Sequence, residues 1–260
     1  MESLALHHRD LGGHGKPMLV ILHGLLGSSR NWQAAGRDLS AQFHVAALDL
    51  RNHGQSPHSA GQTFDLMVGD ILRWLDEHQV SQASLLGHSL GGKVAMKLAC
   101  SAPDRVRLLF VVDIAPRDYP PVSTALEGMM GLDLARLASR REAEDLLAGA
   151  VPERDARRFL VMNLERQKSG EFRWQVNLPA LAAALMGLRA SPLGPRDRFS
   201  GQTLFLLGER STFVRKEDEA VIRAHFPRAE IAVIPDSGHY PHAENRPRFV
   251  EQVLAFARRS

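Results

Sequence analysis

Ser89 lies in Gly87-His-Ser-Leu-Gly91, behind the apolar run Ala83-Ser-Leu-Leu86 and ahead of Lys93-Val-Ala-Met-Lys-Leu-Ala99. A strand that turns sharply into a helix, with glycines on either side of a serine, presents the hydroxyl on a bend that larger neighbours would obstruct. The chemistry this suits is nucleophilic attack. A serine hydroxyl is a weak nucleophile at neutral pH, so a base must take its proton and a third group must orient that base. His239, in Asp236-Ser-Gly-His-Tyr-Pro-His-Ala-Glu244, is the expected base, because it follows the last strand-like run of the chain. His242 is its nearest competitor.

The acid has two candidates. Asp113 ends the apolar run Val106-Arg-Leu-Leu-Phe-Val-Val-Asp113, a place with no visible structural need for a charge, and it is preferred. Glu209 follows the run Gln202-Thr-Leu-Phe-Leu-Leu-Gly208 and is the alternative. A turn-capping role ahead of Pro116 is the plain reading of Asp113. An oxyanion needs two donors. The Leu90 amide, at a helix N-terminus, is one expectation, and the Leu25 amide, in His23-Gly-Leu-Leu-Gly27, is the other. His23, His88 and Trp174 are expected to contact substrate.

These residues must be carried by a framework. Met18–Leu22, Phe43–Leu48, Ala83–Leu86, Val106–Val112, Gln202–Leu207 and Glu230–Ile234 are short apolar runs of buried-strand type. Helical stretches at 31–39, 64–78, 217–225 and 247–258 alternate with them, which implies an α/β fold with a mostly parallel sheet covered by helices on both faces. Between about 117 and 198 the strand rhythm stops. That stretch reads as an inserted helical cap, with helices over 132–149 and 179–188 and one extended exception at Phe172–Asn177. The core is then 1–116 plus 199–260.

The cap carries Met129, Met130, Leu132, Leu134, Leu160, Met162, Leu181, Leu185 and Met186, which could line an apolar acyl pocket, though helical spacing equally describes cap core. Its arginines, Arg136, Arg140, Arg141, Arg154, Arg157 and Arg158, read as a solvated helix face before they read as a site for a CoA phosphate.

Across the chain, 32 Lys and Arg are interspersed with 29 Asp and Glu, so no basic stripe of nucleic-acid-binding type is present. Cys100 is the sole cysteine, which rules out an intramolecular disulfide and suits a buried helical position. No run reaches transmembrane length and the N-terminus is not signal-like, so a cytoplasmic protein is expected, acting on a small molecule without membrane or nucleic acid. No cofactor is required. His7-His8 and His239-x-x-His242 lack a clear set of further metal ligands, so no metal is expected.

Nearly the whole chain resembles an α/β-hydrolase, through His23-Gly24, Asp49-x-Arg51-x-x-Gly54-x-Ser56, Gly87-His-Ser-x-Gly-Gly92 and Ser237-Gly-His239. Asn52-His-Gly, Asp113-Ile-Ala-Pro116, Phe172-Arg-Trp-x-Val-Asn177 and Gly238-His-Tyr-Pro-His-Ala-Glu244 more narrowly resemble small intracellular esterases and acyl-CoA thioesterases related to abhydrolase-domain proteins. In that group the acid follows the strand that Asp113 ends. The resemblance implies hydrolysis of short to medium acyl esters or thioesters through an acyl-enzyme. C–C bond hydrolases, lactonases and cofactor-free perhydrolases use the same machinery, and an inactive binding protein on this fold would lack the serine or the histidine.

Overall fold

The computed structural model describes residues 3–120 and 123–260. Nine strands are present among them: β1 (His8–Asp10), β2 (Met18–Leu22), β3 (His44–Leu48), β4 (Ala83–His88), β5 (Val106–Val112), β6 (Leu164–Arg166), β7 (Phe172–Trp174), β8 (Gln202–Gly208) and β9 (Ala229–Ile234). Seven form one sheet in the order β1-β3-β2-β4-β5-β8-β9. Its neighbours pair in parallel except β1, which runs antiparallel to β3 at the edge.

Side chains alternate across a strand, so each apolar run supplies both faces of the sheet. Val20 and Leu22 of β2 join one buried cluster, and Leu19 and Ile21 join the other. Helices α1 (Gln33–Leu39) and, at the C-terminus, α10 (Arg246–Arg259) cover the second face through Leu39, Phe249, Val253 and Phe256. On the first face lie α2 (Phe64–Glu77), α3 (Leu90–Ser101) and α8 (Asp218–His225), burying Ile71, Trp74, Val94, Leu98 and Ile222. Cys100 sits half-buried on α3, where burial pushes its thiol up to about 12.

The segment between β5 and β8 contains α4 (Thr124–Met130), α5 (Arg140–Leu146), α6 (Arg154–Val161), the hairpin β6-β7 and α7 (Leu178–Arg189). One expectation changes here. The continuous helix over 132–149 is broken: Asp133 and Ser139 each accept a backbone N–H, from Ala135 and Glu142, and so start a 3₁₀ turn and α5 separately. The segment packs on the core of the sheet. Leu126, Met129, Leu181 and Leu188 belong to the same apolar cluster as Leu90 and Val94 of α3.

Register aligns the strand ends that matter. Leu22 lies opposite Gly87, His88 opposite Val112, and Val112 opposite Leu206. The residues that follow, His23, Ser89 and Asp113, therefore leave the C-terminal edge of the sheet side by side, where open parallel sheets place their ligand crevices.

Candidate active site

Ser89 has φ 51° and ψ −114°, a left-handed conformation that non-glycine residues rarely hold. Its N–H donates to the Val112 carbonyl (3.0 Å) and its carbonyl accepts the Lys93 N–H (3.0 Å), so the strained residue is gripped by β5 behind and α3 ahead. A Cβ at Gly87 would lie 2.2 Å from the Gly91 carbonyl oxygen, which is why the turn needs a glycine there.

Asp113 (φ 51°) is fully buried one strand away. One of its carboxylate oxygens accepts the Gly208 N–H (3.0 Å); the other accepts the Ser211 hydroxyl and the His239 Nδ1–H (2.7 Å). With Nδ1 donating to the carboxylate, the lone pair of a neutral His239 resides on Nε2. The Phe213 ring stacks on the imidazole at 3.6 Å between centroids and fixes its plane. Glu209 is elsewhere: its carboxylate accepts the Asp236 N–H (3.0 Å) and braces the loop ahead of His239. The competitor His242 is stacked on Trp32 at 4.0 Å, buried, and held neutral with its pKa pushed down to about 3 by burial first and then by His239.

Leu25 and Leu90 border the same small cavity as Ser89, and neither backbone N–H has a partner among the turn, loop and cap hydrogen bonds of the described residues. The loop carrying Leu25 comes very close to Ser89, since a Cβ on Gly24 would stand 2.8 Å from His88 Nδ1 and 3.3 Å from Ser89 Cβ. Two buried histidines lace this loop to the one after β3. His23 donates from Nδ1 to the Gly24 carbonyl (2.8 Å) and accepts the Leu50 N–H at Nε2 (3.0 Å). His53 donates from Nδ1 to the Arg51 carbonyl (2.9 Å) and accepts the N–H of Leu26, itself at φ 61°, at Nε2 (3.3 Å). Asn163 adds a third tie, donating to the Leu26 carbonyl at 2.6 Å. Burial, then His23, pushes His53 down to about 3, so its acceptor lone pair persists at neutral pH.

The three expected substrate contacts are placed as follows. His23 has both nitrogens engaged inside the protein and shapes the loop. His88 is buried, and burial followed by the nearby His239 and His242 holds its pKa well below the usual histidine range. Its neutral Nε2–H donates to the His239 carbonyl (2.7 Å) and so anchors the His239 backbone to β4. Trp174 donates to the Met129 carbonyl (3.2 Å) within the insertion and borders a groove with Arg30 and His58 rather than Ser89. Of the apolar cap residues, Met129 and Leu181 are core and Met162 borders an outer groove. Of the insertion, Tyr119, Leu188 and Arg189 line the small cavity with Ser89. Arg154 and Arg158 pair with Glu144, and Arg140 and Arg157 donate to carbonyls, consistent with the solvated-face reading.

Sequence reasoning missed Ser211, Phe213, His53, Asn163 and Lys93. Only His53 carried a signal, as part of Asn52-His-Gly. Among the described residues, a metal-ligand type cluster exists at Asp10, His14 and His44, but β3 begins there, at the edge of the sheet opposite Ser89. No described helix is long and apolar enough to cross a membrane.

Residues 17–246 match the α/β hydrolase fold family. The chain is 37% identical to the sn-1-specific diacylglycerol lipase ABHD11 of Danio rerio over 92% of its own length and 77% of that protein's. It is 30% identical to esterase YbfF of Escherichia coli, covering 89% of each. A marine microorganism esterase superposes with a TM-score of 0.94 at 32% identity, over 98% of this chain and 100% of that one. With an open parallel sheet, a serine on a strained turn and relatives of this kind, the chain belongs to the α/β-hydrolase fold family, among its abhydrolase-domain ester hydrolases.

Proposed function

We propose that this protein hydrolyses short to medium acyl esters or thioesters through a covalent acyl-enzyme on Ser89. The observation that carries the proposal is the contact of His239 Nδ1 with the buried Asp113 carboxylate at 2.7 Å, which leaves Nε2 free to act as a base toward Ser89, strained on its turn one residue beyond His88, whose ring lies 4.7 Å from that of His239. Ser89 Oγ attacks the acyl carbon as its proton passes to His239 Nε2. The carbonyl oxygen, now an oxyanion, is held by the amides of Leu25 and Leu90. The bond to the leaving oxygen or sulfur breaks, and Nε2 returns the proton to the departing alcohol or thiol. A water then attacks the acyl-enzyme, giving its proton to Nε2. The acyl–Oγ bond breaks, and that proton returns to Ser89 as the carboxylic acid leaves. Asp113 holds the tautomer and offsets the imidazolium charge. The ABHD11 and YbfF likenesses support ester over other acyl substrates.

The test is turnover of p-nitrophenyl acetate and butyrate, with Ser89→Ala and His239→Ala as controls. Each variant is expected to lose at least about 10⁴-fold in kcat, and a fluorophosphonate should label Ser89 in the wild type by mass spectrometry. Equal rates in wild type and Ser89→Ala would refute the proposal.

A further inference from the structure

The site is strongly asymmetric about Ser89. His239 borders a groove of about 730 Å³ formed with Thr124, Glu153, Phe213 and Tyr240. The cavity that Ser89 shares with Leu25 and Leu90 does not include His239 and is only about 30 Å³, lined on its other sides by Lys93, Ile114, Tyr119, Leu188 and Arg189. A general acid must reach the leaving atom, so the leaving group belongs on the His239 side and the acyl chain in the small cavity. By the same measure a single water needs roughly 10–15 Å³. The cavity therefore holds a methyl or ethyl group and excludes a long chain.

The far wall of that cavity is built to stay in place. Leu188, on the last turn of α7, is buried in the shared core. The N-terminus of α7 is tied to the loop after β3, because Asn177 donates from its backbone to the Asn52 carbonyl (2.9 Å) and from Nδ2 to Asn52 Oδ1 (3.0 Å). Its C-terminus is tied to the nucleophile helix. Lys93, one turn beyond Ser89 and 2% exposed, donates from Nζ to the carbonyls of Leu188 (3.4 Å), Arg189 (2.9 Å) and Ala190 (2.6 Å). These are the carbonyls a helix leaves unpaired at its end, where its dipole also favours a cation. The Lys93 ammonium further lies 4.7 Å from the centre of the Tyr119 ring, and Tyr119 accepts the Ala115 N–H and donates its hydroxyl to the Phe213 carbonyl, both at 2.9 Å. Burial, then the Arg189 guanidinium, pushes Lys93 down to about 7, against an opposing pull from the Asp118 carboxylate.

We infer that this enzyme takes acetyl and other very short acyl groups esterified to bulky alcohols, and that Lys93 is the positioning residue that sets acyl-chain length by clamping Leu188 of α7 across the pocket. The inference rests on the reading of Ser89 as the acylated nucleophile. Without Lys93 the last carbonyls of α7 lose their donor and its final turn opens, deepening the cavity. Trimming Leu188 deepens it directly.

The experiment compares kcat/KM for p-nitrophenyl acetate, p-nitrophenyl octanoate and 4-methylumbelliferyl acetate in wild type, Lys93→Met and Leu188→Ala. Each ratio of two substrates is taken within one preparation, so loss of folded protein cancels. The wild type should prefer acetate over octanoate by at least about 100-fold, while the bulkier umbelliferyl leaving group changes the acetate value by less than about tenfold. Both variants should raise the octanoate-to-acetate ratio by at least about tenfold, which a merely structural role for Lys93 would not do. Octanoate turned over as well as acetate by the wild type, or an unchanged ratio in both variants, would overturn this inference while leaving the hydrolase intact. Absence of any Ser89-dependent ester turnover would instead remove the underlying function.

Discussion

At the scale of single residues, the carboxylate that serves the histidine is the point of decision. Asp113 reaches His239 Nδ1 at 2.7 Å and also receives Gly208 N–H and the Ser211 hydroxyl, so it is held in place and aimed. Glu209 spends its carboxylate on the Asp236 backbone. Asp113→Asn is therefore expected to lower kcat by about 10³–10⁴-fold, by allowing the wrong imidazole tautomer. Glu209→Gln should change it by less than about tenfold, since an amide oxygen still accepts that N–H. Steady-state ester kinetics on the two variants checks this, and the reverse order of effects would reassign the acid. In the sequence both residues follow apolar runs and look alike. What separates them is that β5 lies beside β4 in the sheet, a neighbour relation between distant parts of the chain.

At the scale of elements, the site depends on turns and loops held by buried polar anchors. The loop after β3 is pinned by Arg51, whose guanidinium meets the Asp70 carboxylate of α2 with two contacts of 2.6 Å and donates to the Gly61 carbonyl at 3.0 Å. Both side chains are essentially fully buried. Asp70→Ala would strand the guanidinium and is expected to cost about 3–5 kcal/mol of stability by urea denaturation, because an unpaired buried charge has no solvent to replace its partner. A loss below about 1 kcal/mol would mean water reaches Arg51. The nucleophile turn is equally unforgiving. Gly87→Ala places a methyl against the Gly91 carbonyl, an overlap with backbone that no rotamer relieves, and should cost at least about 3 kcal/mol together with esterase activity. Asp49-x-Arg51-x-x-Gly54 and Gly87-x-Ser-x-Gly91 were legible as motifs because local turn chemistry demands those residue types. The partner of Arg51 was not, since a charged residue on an amphipathic helix such as α2 reads as solvent-facing.

At the scale of the molecule, several buried neutral histidines surround the active-site end of the sheet. His53 and His242 are both pushed down to about 3, against an ordinary value near 6.5, and both are buried. The unfolded chain takes up their protons below about pH 6.5 while the folded chain resists until about pH 3, so U binds more protons than N throughout that window. Their contribution is fully present above pH 6.5 and is lost as pH falls. Each should reduce stability by about 1.4 kcal/mol per pH unit below that point. Chemical denaturation at pH 7.5, 6.0 and 5.0 checks this, with His242→Phe expected to lessen the slope; a flat profile over that range would show that the rings are hydrated.

The alternation of strand and helix, the serine on its turn and the histidine after the last strand are short-range patterns, written in periodicity and in residues that only one backbone conformation admits. Ten or so neighbouring residues suffice to specify each. Only the tertiary structure shows Asp113 against His239, His23 and His88 bonded to backbone groups, the insertion packed on the sheet's core, and Lys93 clasping α7. All of these are contacts between segments distant in the chain. A buried lysine, histidine or aspartate has no local signature of its own, because what makes its burial tolerable is a partner that arrives only when the chain has folded.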